Sequence, residues 1–398
     1  MGRSLRPRGR LLRTLLAGLA SAAAIVVALE LVLGGLRPGP ERPHSGSVPG
    51  AAAGPGTTLP SGARGGPASG GTATAPTAPA RPETPPAALK PVLGGLLDRH
   101  HVPPAQFRGT VTGFVVPVPW AALQPAPAAP LLANNPIDQA IAVARAQGLK
   151  LKLRVTAGID APEWAKRLGG APVPVSDFYG RKGTVGRFWS ERFGQAYLQL
   201  QRELAARYDN VPELVQTEIT RCTTMFAEPF LRQGRTSESV RSLIQAGYTD
   251  TADEVCQRQQ VDAHRVWQRT RSGLSFNPYQ RISPAGEVVP DEVFTERMMV
   301  YCKQMLSSRC VLENHSIRSR GQNRWYDRMY QAMRALGVPI AFQTAAPARI
   351  GNLMDTLNWA IAQGASSVEL PVSYSTASSM AALDPIDQRL RSIAELAS

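Results

Sequence analysis

From residue 108 to the end of the chain, short runs of β-branched residues alternate with segments in which apolar residues recur every three or four positions. The short runs predict strands, and the wider spacing predicts amphipathic helices. One helix shows all its signals, because Asn135 can cap it, Pro136 suits its first turn and Gly148 can end it. The predicted strands are 109–118, 149–158, 223–230, 272–278, 309–317, 338–345 and 366–374.

This alternation covers about 290 residues and predicts parallel strands joined by helical crossovers. The sequence contains neither the G-x-G-x-x-G pattern of dinucleotide-binding sheets nor the G-x-x-x-x-G-K-[ST] pattern of phosphate-binding loops. Size and these missing patterns favour an α/β fold of the (β/α)8 TIM-barrel type over a doubly wound sheet. The eighth strand is expected within 170–185 or at the start of the ELVQTEI segment, residues 213–219.

The N-terminal residues follow a different pattern. A basic segment, 1–13, precedes an apolar stretch, 14–36, whose one charge is Glu30. These 23 residues suffice to cross a hydrocarbon layer as a helix, which predicts a transmembrane signal anchor. A cleaved signal peptide is the alternative, since the SAAA segment at 21–24 could serve a peptidase. In either case the basic flank predicts that the remaining chain lies outside the cytoplasm, at the cell membrane or secreted.

Residues 37–90 are rich in Pro, Gly, Ala, Ser and Thr and contain few large apolar side chains. Such a segment cannot bury enough surface to offset its loss of chain entropy, which predicts a disordered linker. The expected organisation is therefore a membrane anchor, a spacer and a barrel over 91–398.

The net charge of +14 is unevenly distributed. Residues 1–90 contain ten Lys or Arg and three Asp or Glu, so they contribute 10 − 3 = +7, half of the total. The remaining positive charge is spread through the predicted barrel without a basic block or a stripe of interleaved basic and aromatic residues. Nucleic-acid binding is therefore not expected.

All four cysteines lie in the predicted barrel. An even number of cysteines in an exported domain suggests two disulfides, with buried free thiols as the alternative. Of the three possible pairings, Cys302 with Cys310 joins the closest pair in sequence and leaves Cys222 with Cys256. No C-x-x-C spacing or matching histidine arrangement is present, so neither a metal site nor another cofactor is expected.

Polar residues stand where the predicted strands end, which is where a (β/α)8 barrel places its chemistry. Three of them are glutamates, Glu228, Glu313 and Glu369, each of which could instead form an ion pair or cap a helix. The other polar or aromatic residues near these ends are Trp120, Arg154, Asp160, Asn277, Asn314, His315, Gln343 and Tyr374.

Three segments resemble the retaining (β/α)8 glycoside hydrolases, especially their β-galactosidase-like members. They are VPWAALQP at 118–125, APEWAK at 161–166 and ELAARYDNVPELVQTEITRCTTMFAEPF at 203–230. In that family the fourth strand ends in Asn-Glu or Asn-Glu-Pro, so the resemblance implies that Glu228 is the general acid/base. TTM-x-AEPF and FQTA segments also resemble those of a group of secreted bacterial proteins.

Two departures from the family pattern limit this resemblance. Ala227 stands where the family has Asn, and Gln343 stands where the family nucleophile is Glu. Because glutamine cannot form the glycosyl-enzyme ester, Glu369 or Glu313 would have to supply the second carboxylate, and Glu369 is preferred. Whether the reaction retains or inverts the anomeric configuration depends on the distance between the carboxyl groups.

The resulting hypothesis is a membrane-tethered glycosidase that acts on polysaccharide or glycoconjugate. The alternative is an inactive barrel that binds cell-envelope glycan, with Trp120, Trp164 and Tyr374 stacking on sugar rings. The expected partners are therefore a carbohydrate and, through residues 14–36, the membrane, while the sequence leaves the oligomeric state open.

Overall fold

The computed structural model describes residues 88–177, 180–232, 237–319 and 323–398. Eight of its strands form one parallel barrel. In chain order these strands are β1 (Gly95–Asp98), β2 (Val111–Pro119), β3 (Lys150–Thr156), β4 (Leu214–Glu218), β5 (Arg271–Ser275), β6 (Cys310–Ile317), β7 (Ile340–Thr344) and β8 (Ala365–Glu369).

The barrel closes because β1 pairs with strands on both of its sides. Leu97 of β1 lies in register with Gly113 of β2 and with Glu369 of β8. Every other neighbouring pair is also parallel and consecutive in the chain order of the barrel strands. All eight carboxyl ends therefore meet at one rim, and the predicted (β/α)8 barrel is confirmed.

A helix follows each barrel strand from β2 onward, whereas β1 and β2 are joined through a short 3-10 turn at Ala105–Phe107. The main helices are α1 (Pro136–Gln147), α2 (Glu191–Tyr208), α3 (Ser237–Gln245), α4 (Asp250–Ala263), α5 (Glu292–Leu306), α6 (Arg324–Leu336), α7 (Leu353–Ala362) and α8 (Met380–Leu396). Four-residue helices lie at Trp120–Leu123, Glu163–Lys166 and Tyr374–Ala377.

Side-chain caps fix where several helices begin. The Asn135 side chain accepts hydrogen bonds from the first turn of α1, whose end is Gly148 at a φ of 67°. Ser190 and Asp291 cap α2 and α5 by accepting from the backbone N–H groups of Phe193 and Phe294. The Asn135 cap lies where the sequence predicts it.

Of the two places expected for the eighth strand, the start of ELVQTEI is confirmed, because Leu214–Glu218 forms β4 of the barrel. Residues 170–185 instead contain an antiparallel hairpin of Val173–Ser176 and Lys182–Val185 outside the barrel. The strand predicted at 223–230 is wrong, because that segment is a loop, and β1 was not predicted. Glu228 therefore lies ten residues beyond the end of β4. A second antiparallel hairpin, Tyr279–Ile282 with Val288–Asp291, follows β5.

Both predicted disulfides are present in the predicted pairing. Cys302 of α5 bonds Cys310 at the start of β6, and Cys222 in the loop after β4 bonds Cys256 of α4. The second bond ties the loop that carries Glu228 to a helix.

The predicted anchor at 14–36 and nearly all of the predicted linker at 37–90 lie outside the described residues. Among the described helices, none has the length and apolar character needed to span a bilayer.

Candidate functional site

A cleft of about 250 Å³ opens at the rim where the barrel strands end. Strands β2, β3, β6 and β7 contribute Pro117, Arg154, Thr156, His315 and Gln343 to its walls. The loops after β1, β3, β4 and β8 complete it with Arg99, His100, Asp160, Thr223, Met225, Phe226, Glu228 and Val372. The cleft therefore lies where (β/α)8 enzymes place their active sites.

The loop after β4 brings Glu228 to this cleft because helix α4 holds the loop at several points. The disulfide fixes Cys222 to Cys256, and the Gln257 side chain donates to the Pro229 carbonyl at 2.7 Å. The Gln260 side chain also accepts from the Cys222 backbone N–H at 3.1 Å. Glu228 lies between these anchored points, so its position is set by side chains of α4 and not by a strand.

A buried ion pair holds the end of the same loop. The Arg232 guanidinium donates to the Asp253 carboxylate of α4, and neither side chain is exposed to solvent. The hydroxyls of Tyr248 and Tyr279 donate to the same carboxylate, each at 2.7 Å. Such a fully hydrogen-bonded buried pair is costly to break, which favours one conformation of the loop.

Glu228 is half-buried at the cleft wall. Its Oε1 accepts a hydrogen bond of 3.1 Å from the Asn277 side-chain amide, and Asn277 in turn accepts from the Tyr326 hydroxyl at 3.0 Å. Burial raises the pKa of Glu228 above its ordinary value, although His315, Asn277 and Arg154 oppose this shift. A carboxyl group whose pKa is raised can hold a proton nearer to neutral pH, as a general acid must.

Asp160 is the other carboxyl group among the described residues of the cleft wall. It ends the 3-10 turn Gly158–Asp160 that follows β3. Burial raises the pKa of Asp160, while a hydrogen bond from Thr156 and the charge of Arg181 act in the opposite direction. The cleft therefore has two carboxyl groups, on the loops after β3 and β4.

Beneath the cleft, inside the barrel, three glutamates surround one lysine. The Lys152 Nζ lies 2.9 Å from Glu218, 2.7 Å from Glu313 and 2.7 Å from Glu369. Arg154 donates to both oxygens of Glu218 and, at 2.7 Å, to Glu369. We call Lys152, Arg154, Glu218, Glu313, His315 and Glu369 the barrel ion cluster.

Two carboxyl groups of the barrel ion cluster, Glu218 and Glu369, are kept ionised. Burial alone would raise their pKa values, but Arg154 and Lys152 outweigh it and lower the pKa of Glu218 to about 2. The same two cations hold the pKa of Glu369 well below its ordinary range. Conversely, these glutamates outweigh burial at Lys152 and keep its pKa above the ordinary value. At neutral pH these groups are therefore bound as ions.

Glycine is required beside this cluster. A Cβ at Gly273 of β5 would lie about 1.9 Å from Glu313 Oε1 and 3.0 Å from Gln216 Nε2. The missing side chain leaves space for the Glu313 carboxylate, which also accepts a hydrogen bond from Gln216.

The donor groups of Glu218, Glu313, His315 and Glu369 lie within 4.8 Å of one another, close enough to hold a metal ion. However, the Lys152 ammonium already contacts three of these four groups at hydrogen-bond distance. It neutralises the carboxylates from the position that a bound cation would take, so the arrangement fits an internal ion cluster better than a metal centre.

The predicted site residues separate into three groups. Glu228, Arg154, His315 and Gln343 line the cleft, and Asn277 supports Glu228 from behind. Glu313 and Glu369 lie beneath the cleft in the barrel ion cluster and are buried. The remaining predicted residues, which are not among the described residues of the cleft wall, are Trp120, Trp164, Asn314 and Tyr374.

The residues of this last group have structural contacts instead. Trp120 is fully buried against Trp164 and Phe193, and the Trp164 indole donates to the Gln124 carbonyl at 2.9 Å. Asn314 donates to the Phe276 carbonyl and accepts from the Tyr330 hydroxyl. Tyr374 donates to Asp98 at 2.9 Å.

Three charged residues of the cleft and cluster, Arg99, Lys152 and Glu218, were not chosen from the sequence, and Asp160 was noted near a strand end without a role. Two of these residues, Lys152 and Glu218, have a recognisable signal in the sequence. Lys152 alternates with apolar residues along β3, as Arg154 does, and both therefore lie on the inner face of the barrel. Glu218 stands at the true end of β4, where a correct strand boundary would have placed it.

No protein-family model and no curated protein matches the chain. Among solved structures, it is similar to the β-galactosidase of the psychrophilic Marinomonas ef1, with 13% identity, a TM-score of 0.41 and coverage of 69% of this chain. The match includes 53% of that galactosidase, so the chain spans about half of its length.

Two further solved structures are also similar. Endo-glycoceramidase II from Rhodococcus sp., in its five-membered iminocyclitol complex, matches at 17% identity and a TM-score of 0.42, over 72% of this chain and 76% of that one. Endoglucanase Cel5A from Pseudomonas stutzeri matches at 13% identity and a TM-score of 0.42, over 77% of this chain and 96% of that one. The barrel architecture rests on the strand pairing described above, and the chemistry rests on this chain's own residues.

Proposed function

We propose that this protein is a glycoside hydrolase of polysaccharide or glycoconjugate in which Glu228 is the general acid. The observation that carries this proposal is the half-buried Glu228 carboxyl at the rim of the barrel, with its pKa raised by burial. The family resemblance places this role at the end of the fourth strand, which is Glu218 in this structure, so the assignment of Glu228 rests on its place in the cleft. Protonation of the glycosidic oxygen by Glu228 would let the C–O bond break as the sugar becomes oxocarbenium-like.

The second step needs a carboxylate that activates water or attacks the sugar. Glu369 is ionised but buried, Glu313 is buried as well, and both contact the Lys152 ammonium. Asp160 lines the same cleft as Glu228, and we therefore assign it the role of general base in place of Glu369. Water would lose its proton to Asp160, and its oxygen would bond to the anomeric carbon as the leaving group takes the proton of Glu228.

One observation favours a second function, glycan binding without turnover. Each of Glu218, Glu313 and Glu369 is bound to a cation, and Gln343 stands at the end of β7. If Asp160 is not a base, no ionised carboxylate is free among the described residues of the cleft wall, and the barrel would bind a sugar without cleaving it.

An activity screen separates these functions. The full-length chain is tested on aryl glycosides and cell-wall polysaccharides, together with Glu228→Gln, Asp160→Asn and the exposed control Glu395→Gln. The hydrolase predicts turnover that falls by at least about 100-fold in both cleft variants and is unchanged in the control. Turnover that survives in Glu228→Gln would contradict the proposal, and glycan binding without any turnover would support the second function.

The Asp160 assignment has its own readout. In this test azide is added to Asp160→Asn, because azide can attack the anomeric carbon without the help of a base. If Asp160 is the base of an inverting enzyme, the variant should form a glycosyl azide of the opposite anomeric configuration to the substrate. If Asp160→Asn is fully active and Glu369→Gln is not, the base is Glu369.

We also propose that the barrel works outside the cytoplasm, tethered by residues 14–36. Its two disulfides support this location, because such bonds persist in oxidising compartments. Protease treatment of intact cells, which degrades exposed domains only, should remove the barrel. Full protection in intact cells, with degradation after lysis, would contradict this location.

A further inference from the structure

Among the described residues of the cleft wall, one buried cation has no acidic partner in an ion pair. Arg154 is bound to Glu218 and Glu369, and Arg181 is paired with Asp177 at 3.1 Å. Arg99, which directly follows β1, takes part in none of the ion pairs between described residues. Its side chain lines the cleft although the residue is only 4% exposed.

The contacts of Arg99 leave part of its guanidinium without a partner. Its Nη2 donates to the carbonyl and, at 2.7 Å, to the hydroxyl of Thr344 at the end of β7. Its Nε is buried and has no hydrogen-bond acceptor among the described residues. A buried guanidinium is costly unless an anion or several acceptors surround it, so an unpaired one in a cleft indicates an anionic ligand.

Glu369 and Asp98 both act on Arg99 through their charge, but neither forms an ion pair with it. Asp98 accepts from the backbone N–H groups of His100 and His101, and its other oxygen accepts from the Tyr374 hydroxyl at 2.9 Å. His100 adds no charge at neutral pH, since burial and the cations Arg99 and Arg154 lower its pKa to about 4 and leave it neutral. Arg99 remains protonated at neutral pH although burial lowers its pKa to about 10.

We propose that Arg99 forms an anion subsite of the cleft, so that the bound sugar carries an oxyanion group. A planar guanidinium binds carboxylates and phosphates through paired N–H donors, so the group is either the carboxylate of a uronic acid or a phosphate ester. This inference rests on the proposed glycan function, because it assigns the substrate class of the same cleft.

A structural role for Arg99 is the competing explanation. The barrel ion cluster contains three glutamates against Lys152 and Arg154, and Glu369 also acts on Arg99 through its charge. Arg99 would then only balance the cluster. In that case, removing its charge would lower stability but would leave the preference for charged over neutral sugars unchanged.

Binding of four probes to the full-length chain, measured by titration calorimetry, distinguishes these explanations. The probes are glucuronate, its uncharged methyl ester, glucose 6-phosphate and glucose. The anion subsite predicts that at least one anionic probe binds the wild type about tenfold more tightly than its uncharged counterpart. Tighter binding of glucuronate or of glucose 6-phosphate identifies the carboxylate or the phosphate ester, respectively. Equal affinities within each pair, or no binding of any probe, would overturn the inference without any variant being needed.

Two substitutions then assign the preference to Arg99. Arg99→Met should reduce the anion preference to less than about twofold, and Arg99→Lys, which keeps the charge, should retain part of it. The control Arg389→Gln removes an exposed cation of α8 and should leave the preference unchanged. A tenfold preference that persists in a folded Arg99→Met protein would overturn the assignment.

The test also separates this inference from the proposed hydrolase. Anionic sugars that bind through Arg99 but are never cleaved would leave the subsite intact and refute the hydrolase. Neutral glycosides that are cleaved through Glu228 with no preference for charged sugars would do the reverse.

Discussion

The barrel ion cluster predicts a large loss of stability when Lys152 is replaced by methionine. Methionine keeps the unbranched apolar stem of lysine and removes only its charged end. Three buried carboxylates would lose the ammonium that lies 2.7 to 2.9 Å from each of them, and Arg154 would be the remaining cation of the cluster bound to Glu218 and Glu369.

The size of this loss follows from the number of partners. Removing one member of a buried ion pair costs about 3 to 5 kcal/mol, because the other charge is left uncompensated. Since Lys152 contacts three carboxylates, we expect the upper end of that range, about 5 kcal/mol at pH 7. Lys150, which is exposed on the same strand and donates to the Pro212 carbonyl, is the matched control. Lys150→Met should cost less than about 0.5 kcal/mol.

The loss should also depend on pH in a defined direction. In the wild type the pKa values of Glu218 and Glu369 are depressed, so their contribution to stability is complete above about pH 4.5 and is lost only as the pH falls toward 2. In Lys152→Met at least one of the three carboxyl groups should have a raised pKa. Its contribution is then lost as the pH rises through that raised value, so the difference between the two proteins should grow from pH 5 to pH 8.

Denaturant unfolding of the full-length chain, followed by tryptophan fluorescence between pH 5 and pH 8, measures this difference. Equal slopes of the free energy of unfolding against denaturant would show that the substitution acts on stability alone. A loss below about 1 kcal/mol at pH 7, or a loss that is the same at pH 5 and pH 8, would refute the assignment of these glutamates as an internal ion cluster. They would then again be candidates for catalysis.

Two further predictions concern Glu228. Replacing Cys222 and Cys256 together by Ala should cost about 3.8 kcal/mol on the chain-entropy estimate for a separation of 34 residues, against about 2.5 kcal/mol for Cys302 and Cys310 with a separation of 8. Only the first pair should also reduce Glu228-dependent turnover, because only that bond anchors its loop, and equal turnover in both double variants would contradict this role. Asn277→Leu removes the hydrogen bond that stabilises the ionised Glu228, so the pKa of Glu228 should rise further while His315, Arg154 and Glu218 still act on it. Carboxyl NMR titration measures this pKa. An unchanged or lower value would show that this hydrogen bond does not act on the ionised form.

The sequence predicted the barrel because most of its elements are long enough to show a period. Helix α1 has both caps and an apolar face, and β2 has nine residues. Strand β1 was missed because its four residues are all buried and are too few to show an alternation of apolar and polar positions. The loop at 223–230 was predicted as a strand for a related reason. Met225 and Phe230 belong to a cross-linked loop, in which both are buried. In the sequence alone, a run of buried apolar residues in a loop looks the same as one in a strand.

The site was predictable in its residue types but not in its division of roles. Glu228, Glu313 and Glu369 look alike in the sequence, since each lies within a segment that the sequence predicts as a strand. Their roles depend on contacts between strands distant in sequence, such as Lys152 with Glu369, which are separated by 217 positions. No local pattern encodes that distance, and only the closed barrel brings the two side chains together.

The same contacts explain how one barrel can keep some carboxyl groups ionised and let another hold a proton. Inside the barrel, Lys152 and Arg154 outweigh the cost of burial, so Glu218 and Glu369 remain charged. At the rim, Glu228 is desolvated by its loop but receives only an amide hydrogen bond, so burial prevails and its pKa rises. Because the opposite shifts arise from the presence or absence of a directly bound cation, a cation placed beside Glu228 would convert it from a proton donor into a permanent anion. An acid at this position therefore needs two conditions: a loop that excludes water from Glu228, and an Arg154 that stays bound to Glu218 and Glu369. The first condition depends on the anchoring of residues 222–232 to α4, which therefore matters as much as Glu228 itself.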